Sequence, residues 1–249
     1  MSSDSKAGTV DFPFGYELEP GQFIKRPNRF LAHVLVNGRE VKAHVPDPGR
    51  LKELLVPDAD VMVRHNPSPT RKTDWTLTLV KKEAVWVCIN TTIPNAFVGY
   101  LLENRRLPEF NEYPSIKAEV ANENSRFDFH LTNGSLEYWL EVKSVSLVHN
   151  GVGLFPDAPT KRGTRHLNHL IDLKEQGHSA GVLFMVQRSD AEKFAPNWIT
   201  DSDFSETLVK AHDAGVEVTV YTSEVSREGI SLGSRIDFDL NTKYPLPEM

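Results

Sequence analysis

The residues best placed for chemistry lie between Ser125 and Val145, where the chain reads SRFDFHLTNGSLEYWLEVKSV. Apolar and polar residues alternate on both sides of Asn133-Gly134, which predicts two half-buried strands joined by a tight turn. Asn-Gly is a strong hairpin signal because both central positions of a type I′ turn need positive φ. With these two as the loop, Thr132 pairs with Ser135, Asp128 falls opposite Trp139, and Arg126 falls opposite Glu141. Arg126, Asp128 and His130 then share a face with Trp139, Glu141 and Lys143, and Phe127, Phe129, Tyr138, Leu140 and Val142 take the other. Asp128 and Glu141 become diagonal neighbours, about 7–8 Å apart at the backbone. Two such carboxylates repel unless a cation or proton lies between them. A hard divalent ion such as Mg²⁺ suits them, with waters and room for a phosphate oxygen, and Lys143 is placed to orient water or offset negative charge. Arg126, Asp128, Glu141 and Lys143 also make a cross-strand ion network, and spacing alone leaves the two readings open.

The Glu-Val-Lys tripeptide occurs twice, at 40–42 and at 141–143. Composition predicts about one Glu-x-Lys in a chain of this length. Glu40 also follows an Asn-Gly pair, but its partner strand, Leu31 to Val36, carries no acid. It therefore reads as a solvated polar face and serves as an internal control. His166 and His169 stand three apart on a predicted helix without a third ligand, and read as ordinary lining residues.

The elements that must position these residues fall into two groups. The first third holds short strands at 29–36, 39–45, 60–65, 75–81 and 84–90, with an Asn37-Gly38 turn between the first two and one helical turn at Leu51–Leu55. Five short strands with little helix predict a small barrel. Asn95 is expected to cap a helix through Phe97, Val98, Leu101 and Leu102. Beyond it, strands are expected at 116–121, 126–132, 136–145, 181–187 and 216–222. Helices are expected at 160–176 and 204–214, ended by Gly177 and Gly215. The pattern predicts an arm at 1–21, loosely packed, a barrel at 22–95, and one α/β domain with a mixed sheet at 96–249.

Composition excludes several classes. One cysteine among 249 residues removes a disulfide framework and any multi-cysteine metal cluster. The longest apolar runs, Ala84 to Ile89 and Ala180 to Val186, are far short of the roughly 20 residues of a membrane span. The first 21 residues have no apolar core of a signal peptide, so a cytoplasmic protein is expected. There is no G-x-x-x-x-G-K-[ST] loop, no G-x-S-x-G elbow and no H-E-x-x-H. The formal net charge of −6 hides an asymmetry. Residues 22–82 carry 12 Lys and Arg against 6 Asp and Glu, while residues 96–249 carry 15 against 23. A basic module joined to an acidic one is able to hold a polyanion locally.

Several longer motifs carry a resemblance. They are Arg126-Phe127-Asp128-Phe129, Glu141-Val142-Lys143-Ser144, residues 154–160 (LFPDAPT), Arg162-Gly163, His44-Val45-Pro46 and residues 48–55 (PGRLKELL). Over about Phe23 to Leu240 the chain resembles the sugar fermentation stimulation protein A family. The resemblance implies an N-terminal OB-like β-barrel followed by a PD-(D/E)xK restriction-endonuclease-like α/β domain. Asp128 would be the first acid of that motif, Glu141 the second and Lys143 the lysine. Asp47 stands where such proteins more often carry asparagine.

The function this implies is divalent-metal-dependent phosphodiester hydrolysis, in DNA before RNA. Asp128, Glu141 and the Val142 carbonyl would hold Mg²⁺ or Mn²⁺, with Glu103 and Glu119 the two candidates for an additional acid. Arg126, and Arg162, Arg165 and His166 at the start of the following helix, are expected to hold the phosphate backbone, since a helix N-terminus favours anions. Arg50, Lys52, Arg71, Lys72 and Trp75 are expected to track the strand from the barrel. The alternative is a non-catalytic DNA-binding regulator on the same fold, linked to expression of sugar-fermentation genes.

Overall fold

The computed structural model describes residues 10–123 and 125–247. A short strand β1 (Phe12–Pro13) precedes six strands of the barrel region: β2 (Glu19–Asn28), β3 (Leu31–Val36), β4 (Arg39–His44), β5 (Asp60–His65), β6 (Trp75–Lys82) and β7 (Val85–Cys88). Asn37 and Gly38 both have positive φ and join Val36 to Arg39, the expected two-residue turn. The sheet order is β4-β3-β2-β5-β6-β7, and a parallel pairing of Ala43 and His44 with Trp75 and Thr76 closes β2 to β6 into a five-stranded barrel. Phe23, Val34, Leu51, Leu54, Leu77 and Ile89 fill it. This is the OB arrangement, a Greek-key barrel of five strands.

The α/β region begins with α1 (Ile93–Glu103) and continues with β8 (Ser115–Asn122), β9 (Ser125–Asn133), β10 (Leu136–Val145), β11 (Val148–His149), β12 (Val152–Phe155), α2 (Lys161–Glu175), β13 (Ser179–Val186), β14 (Lys193–Pro196), α3 (Ser202–Asp213), β15 (Glu217–Val225), β16 (Gly229–Arg235) and β17 (Asp237–Phe238). Its main sheet is mixed, in the order β1-β16-β15-β13-β10-β9-β8, with β10, β13 and β15 parallel. Helices α2 and α3 supply the two crossovers and bury Leu167, Leu170, Leu173, Phe204 and Leu208 against one face. Helix α1 covers the other face with Phe97, Val98 and Leu101. Thr160 caps α2 by accepting the Gly163 N–H at 3.0 Å, and Asp201 caps α3 through the Phe204 N–H.

Three expectations are corrected here. The described part of the arm is not loose: β1 pairs with β16, Phe14 is buried, and the first barrel strand is β2, Glu19–Asn28, which precedes the first expected strand at 29–36. A second sheet, β11-β12-β14-β17, was not legible, because its strands are two to four residues long and interrupted by glycine and proline. Asn95 does not cap α1, which starts two residues earlier.

The barrel and the α/β region share a core. Met62, Leu79 and Cys88 of the barrel pack into the same apolar cluster as α1, and the Cys88 N–H donates to the Gln187 carbonyl at 3.1 Å. At the other end of the seam, the Leu51 N–H donates to the Asp157 carboxylate at 3.4 Å. Gly49 lies flat on that carboxylate, where a Cβ would collide with it.

Candidate active site

The hairpin is slipped by two residues from the expected register. Leu136 pairs with Asn133, Trp139 with His130, and Leu140 with Phe129, so the two-residue loop is Gly134-Ser135. A slip of one would have sent every side chain to the opposite face, whereas a slip of two keeps the face and changes the neighbour. On this register Asp128 is level with Glu141 instead of diagonal to it. The ladder stops at Leu140–Phe129, and β10 continues alone against β13. Just past that point the Val142 N–H donates to Asp128 Oδ2 at 2.7 Å. The alternation also breaks here. Phe129 packs on the α1 side as expected, but Phe127 packs beside Trp139, His166 and His169 on the α2 side. Across from Asp128, Glu119 on β8 has a φ of +57°, which distorts the neighbouring ladder at the same level.

Asp128, Glu141, Val142 and Lys143 line one cavity of about 400 Å³, with Arg29, Asp47, Thr91, Asn95, Thr160 and Arg162 among its other walls. Asn95 Nδ2 donates to Asp128 Oδ1 at 2.6 Å. Glu141 is 3% exposed, and its Oε1 takes both the Lys143 ammonium and His166 Nδ1–H. Arg162 Nε donates to His166 Nε2 at 3.3 Å, which leaves the imidazole proton on Nδ1, aimed at Glu141. Glu141 Oε2 is buried with no hydrogen-bond partner.

Burial, and then the charge of Glu141, push the Asp128 carboxyl up to about 6. Burial opposes ionisation of Glu141 as well, but Lys143 and His166 outweigh it and hold that carboxyl below its ordinary value. A cation between the two would relieve the repulsion and use the orphaned Oε2. Among the described residues no group of three or more His, Cys, Asp and Glu comes together as a metal cluster. Two carboxylates with main-chain oxygen and water suit an ion such as Mg²⁺, which keeps several waters and takes few protein ligands.

The remaining expected residues divide. Arg162 lines the cavity; Arg165 is exposed and lies outside it. His166 does not face a phosphate: it is 2% exposed and stands behind Glu141. His169 does not join it on a common ligand, its ring packing instead on Phe127. Arg126 turns away from Glu141 and pairs with Glu119 at 2.7 Å. Glu103 and Glu119 line a separate cavity of about 250 Å³ that shares only Asn95 and Asp128 with the first. Arg50 and Lys52 line a small pocket at the seam with Glu53 and Asp157. Arg71 and Lys72 lie on a barrel groove, where an Arg71 Nη donates to Thr76. Trp75 is half-buried against His65 and the barrel core. The control tripeptide behaves as a surface: Glu40 is exposed and pairs with His33.

Sequence reasoning missed Asn95, Arg29 and Asp47 as walls of this cavity. Asn95 is the one strongly polar residue in the apolar first turn of α1, a signal absorbed by reading it as a cap. Nothing local marks Arg29, and Asp47 stands out only for occupying a place where asparagine is more common; both arrive from the barrel. Asp47 is 8% exposed and accepts the Gly49 N–H at 2.7 Å. Burial, and then the Asp157 charge, push its carboxyl up to about 7. A raised acid contributes stability that is full below the ordinary carboxylate range and is lost as pH rises through about 7. Asp47→Asn is therefore expected to raise the melting temperature by an amount that grows up to about pH 7 and then levels off, at about 2–4 °C per kcal/mol. Parallel melting curves for the two proteins across pH would refute this.

A closed OB barrel is followed by a mixed-sheet α/β domain, in which an Asp and a Glu-x-Lys meet where a hairpin opens. Residues 24–89 match the SfsA N-terminal OB domain, and residues 92–229 match the sugar fermentation stimulation protein RE domain. The chain belongs to the sugar fermentation stimulation protein family. It is 45% identical over 220 residues to the sugar fermentation stimulation protein homolog of Clostridium tetani, covering 88% of this chain and 96% of that one. It is 47% identical over 213 residues to the homolog of Acetivibrio thermocellus, covering 85% and 91%. Its structure is similar to that of Pyrococcus furiosus SfsA in complex with Ca²⁺, with a TM-score of 0.84 and 26% identity, covering 93% of this chain and all of the other. Among the described residues no helix is long and apolar enough to cross a membrane.

Proposed function

We propose that this protein hydrolyses phosphodiester bonds, in DNA before RNA, with Mg²⁺ or Mn²⁺ held by Asp128, Glu141 and the Val142 carbonyl. The observation that carries the reading is Glu141: one oxygen is held by Lys143 and His166, the other is buried and unpartnered, and the residue lines the same cavity as Asp128. The Ca²⁺ of the similar Pyrococcus furiosus structure supports a divalent ion. When bound, such an ion supplies Lewis acidity toward a phosphate oxygen and a more acidic water.

The chain's own residues do the rest. Asn95 and the Val142 N–H fix the Asp128 carboxylate in one orientation. Lys143 holds Glu141 in the resting site, and its ammonium is placed to stabilise charge on the phosphate as it is attacked. Arg29 and Arg162 stand on opposite domains of the same cavity and offer forked donors to the flanking phosphates. The basic barrel adds sequence-independent affinity by releasing counterions. The single cysteine, Cys88, is free and buried, which suits a reducing cytoplasm.

Labelled single- and double-stranded DNA and RNA, incubated with Mg²⁺, with Mn²⁺ and with EDTA, test the reading. Cleavage of DNA that EDTA stops is expected. Binding in EDTA without cleavage in either metal would favour the non-catalytic regulator, and absence of binding would overturn both. Replacing Arg71 and Lys72 together by alanine is expected to weaken binding and lower the salt slope by roughly 2. An unchanged slope would mean that these two charges are only solvated surface.

A further inference from the structure

The turn between β2 and β3 faces two ways. Arg29 lines the carboxylate cavity, and Phe30, the next residue, lines a groove on the barrel. Their Cα atoms are one peptide apart, about 3.8 Å, so the two depressions are adjacent stations on one surface.

Phe30 is unusual in this molecule. Every Phe, Tyr and Trp of the chain lies within the described residues, and Phe30 alone is exposed, at 54%. Its backbone is pinned: its N–H donates to Asn28 Oδ1 at 3.0 Å, and its carbonyl accepts the Val45 N–H at 3.0 Å. The ring lies nearly parallel to that of His44, at 19° and 6.4 Å between centroids. A held backbone under an exposed flat ring is a preformed stacking platform. Lys42, Arg71 and Lys72 line the same groove, and no acid does. The groove therefore combines one aromatic face with three cations, the pairing that single-stranded nucleic acid requires.

We propose that this groove binds single-stranded DNA, with one base stacked on Phe30 and the backbone on Lys42, Arg71 and Lys72. The strand then crosses the β2–β3 turn and delivers a neighbouring phosphate past Arg29 to Asp128 and Glu141. Phe30 replaces Trp75 as the stacking residue, because Trp75 is half-buried against His65. The inference rests on the reading of the cavity as a phosphodiester site, but its test needs no cleavage.

The test is equilibrium binding of the full chain to a fluorescent single-stranded oligodeoxynucleotide in EDTA. Phe30→Ala is expected to weaken binding about tenfold or more. Phe30→Trp and Phe30→Tyr are expected to retain affinity, and Phe30→Leu, apolar but without a π face, to behave like alanine. Duplex DNA of the same sequence keeps its bases stacked inside and is expected to lose little. Wild-type affinity of Phe30→Ala for single strands, or equal losses for single strands and duplex, overturns the platform. Tighter, Phe30-dependent binding of the matching RNA overturns the assignment to DNA. If Phe30 dependence holds while no metal supports cleavage, the platform stands and the catalytic reading alone falls. The ring is exposed, so all four variants are expected to fold, and their circular dichroism is the check.

Discussion

Asp128→Asn is expected to reduce metal-dependent cleavage by about a thousandfold or more and, in EDTA at pH 8, to make the protein harder to melt. The first effect follows from losing a ligand of an ion worth several kcal/mol of charge stabilisation. The second follows from the carboxyl itself. Asp128 is raised to about 6 by burial and by Glu141, so its contribution to stability is lost as pH rises through that value. Asparagine keeps the shape and one acceptor for Asn95 or Val142 while removing the buried charge. Activity and stability then move in opposite directions, which is the signature of a strained functional site and not of a structural residue. Mg²⁺, Mn²⁺ or Ca²⁺ is expected to raise the melting temperature of the wild type and not of the variant, because only a bound ion stabilises by linkage. Single-strand binding in EDTA is expected to survive. Normal turnover in the variant, or an equal metal-induced shift, would remove Asp128 from the metal site.

Lys143→Ala is expected to lower turnover by about a hundredfold while the metal-induced melting shift persists. Its ammonium contacts Glu141 Oε1, and His166 remains on that same oxygen when the lysine is gone. Loss of a preorganised cation at developing phosphate charge costs roughly two to three powers of ten. The second Glu-Val-Lys provides the comparison. Lys42→Ala is expected to weaken binding by a small, salt-dependent factor, because Lys42 lies on the barrel groove and its Glu40 pairs with His33 on the surface. Equal losses of turnover at saturating DNA in the two variants would mean that the tripeptide, and not the opened hairpin, is the relevant unit. His166→Ala separates positioning from catalysis. It removes a proton donor to Glu141 without touching substrate, so it is expected to weaken metal affinity by about 10–100-fold and to leave the rate at saturating metal largely intact.

Much of this architecture follows from local patterns. Asn37-Gly38 makes its turn as written, since only those two residues need positive φ there and both tolerate it. Helix α2 starts at the Thr160 cap and is followed by Gly177 at positive φ, close to where capping chemistry places its ends. Asp128 and Glu141 line one cavity although the alternation breaks between Phe127 and Phe129, because a shift of two residues leaves the two acids level and Asn95 and the Val142 N–H hold the Asp128 carboxylate there. The pairing itself was decided elsewhere. The Asn133-Gly134 pair favours a loop at 133–134, yet the chain turns at 134–135. The choice falls to the ladder that β10 shares with β13 and to the packing of Phe127 against Trp139 and His169.

By itself the sequence determined a barrel followed by an α/β domain, and it picked out Asp128, Glu141 and Lys143, because strand alternation and turn chemistry act over a few residues. Only the tertiary structure decided what surrounds them. Asn95 reaches Asp128 across 33 residues, His166 reaches Glu141 across 25, and Arg29 and Asp47 come from the barrel wall. Those contacts exist because β9 parts from β10 and because Met62, Leu79 and Cys88 of the barrel bury themselves against α1. Burial of apolar surface is non-directional, so no short window of sequence records which polar groups it will bring face to face.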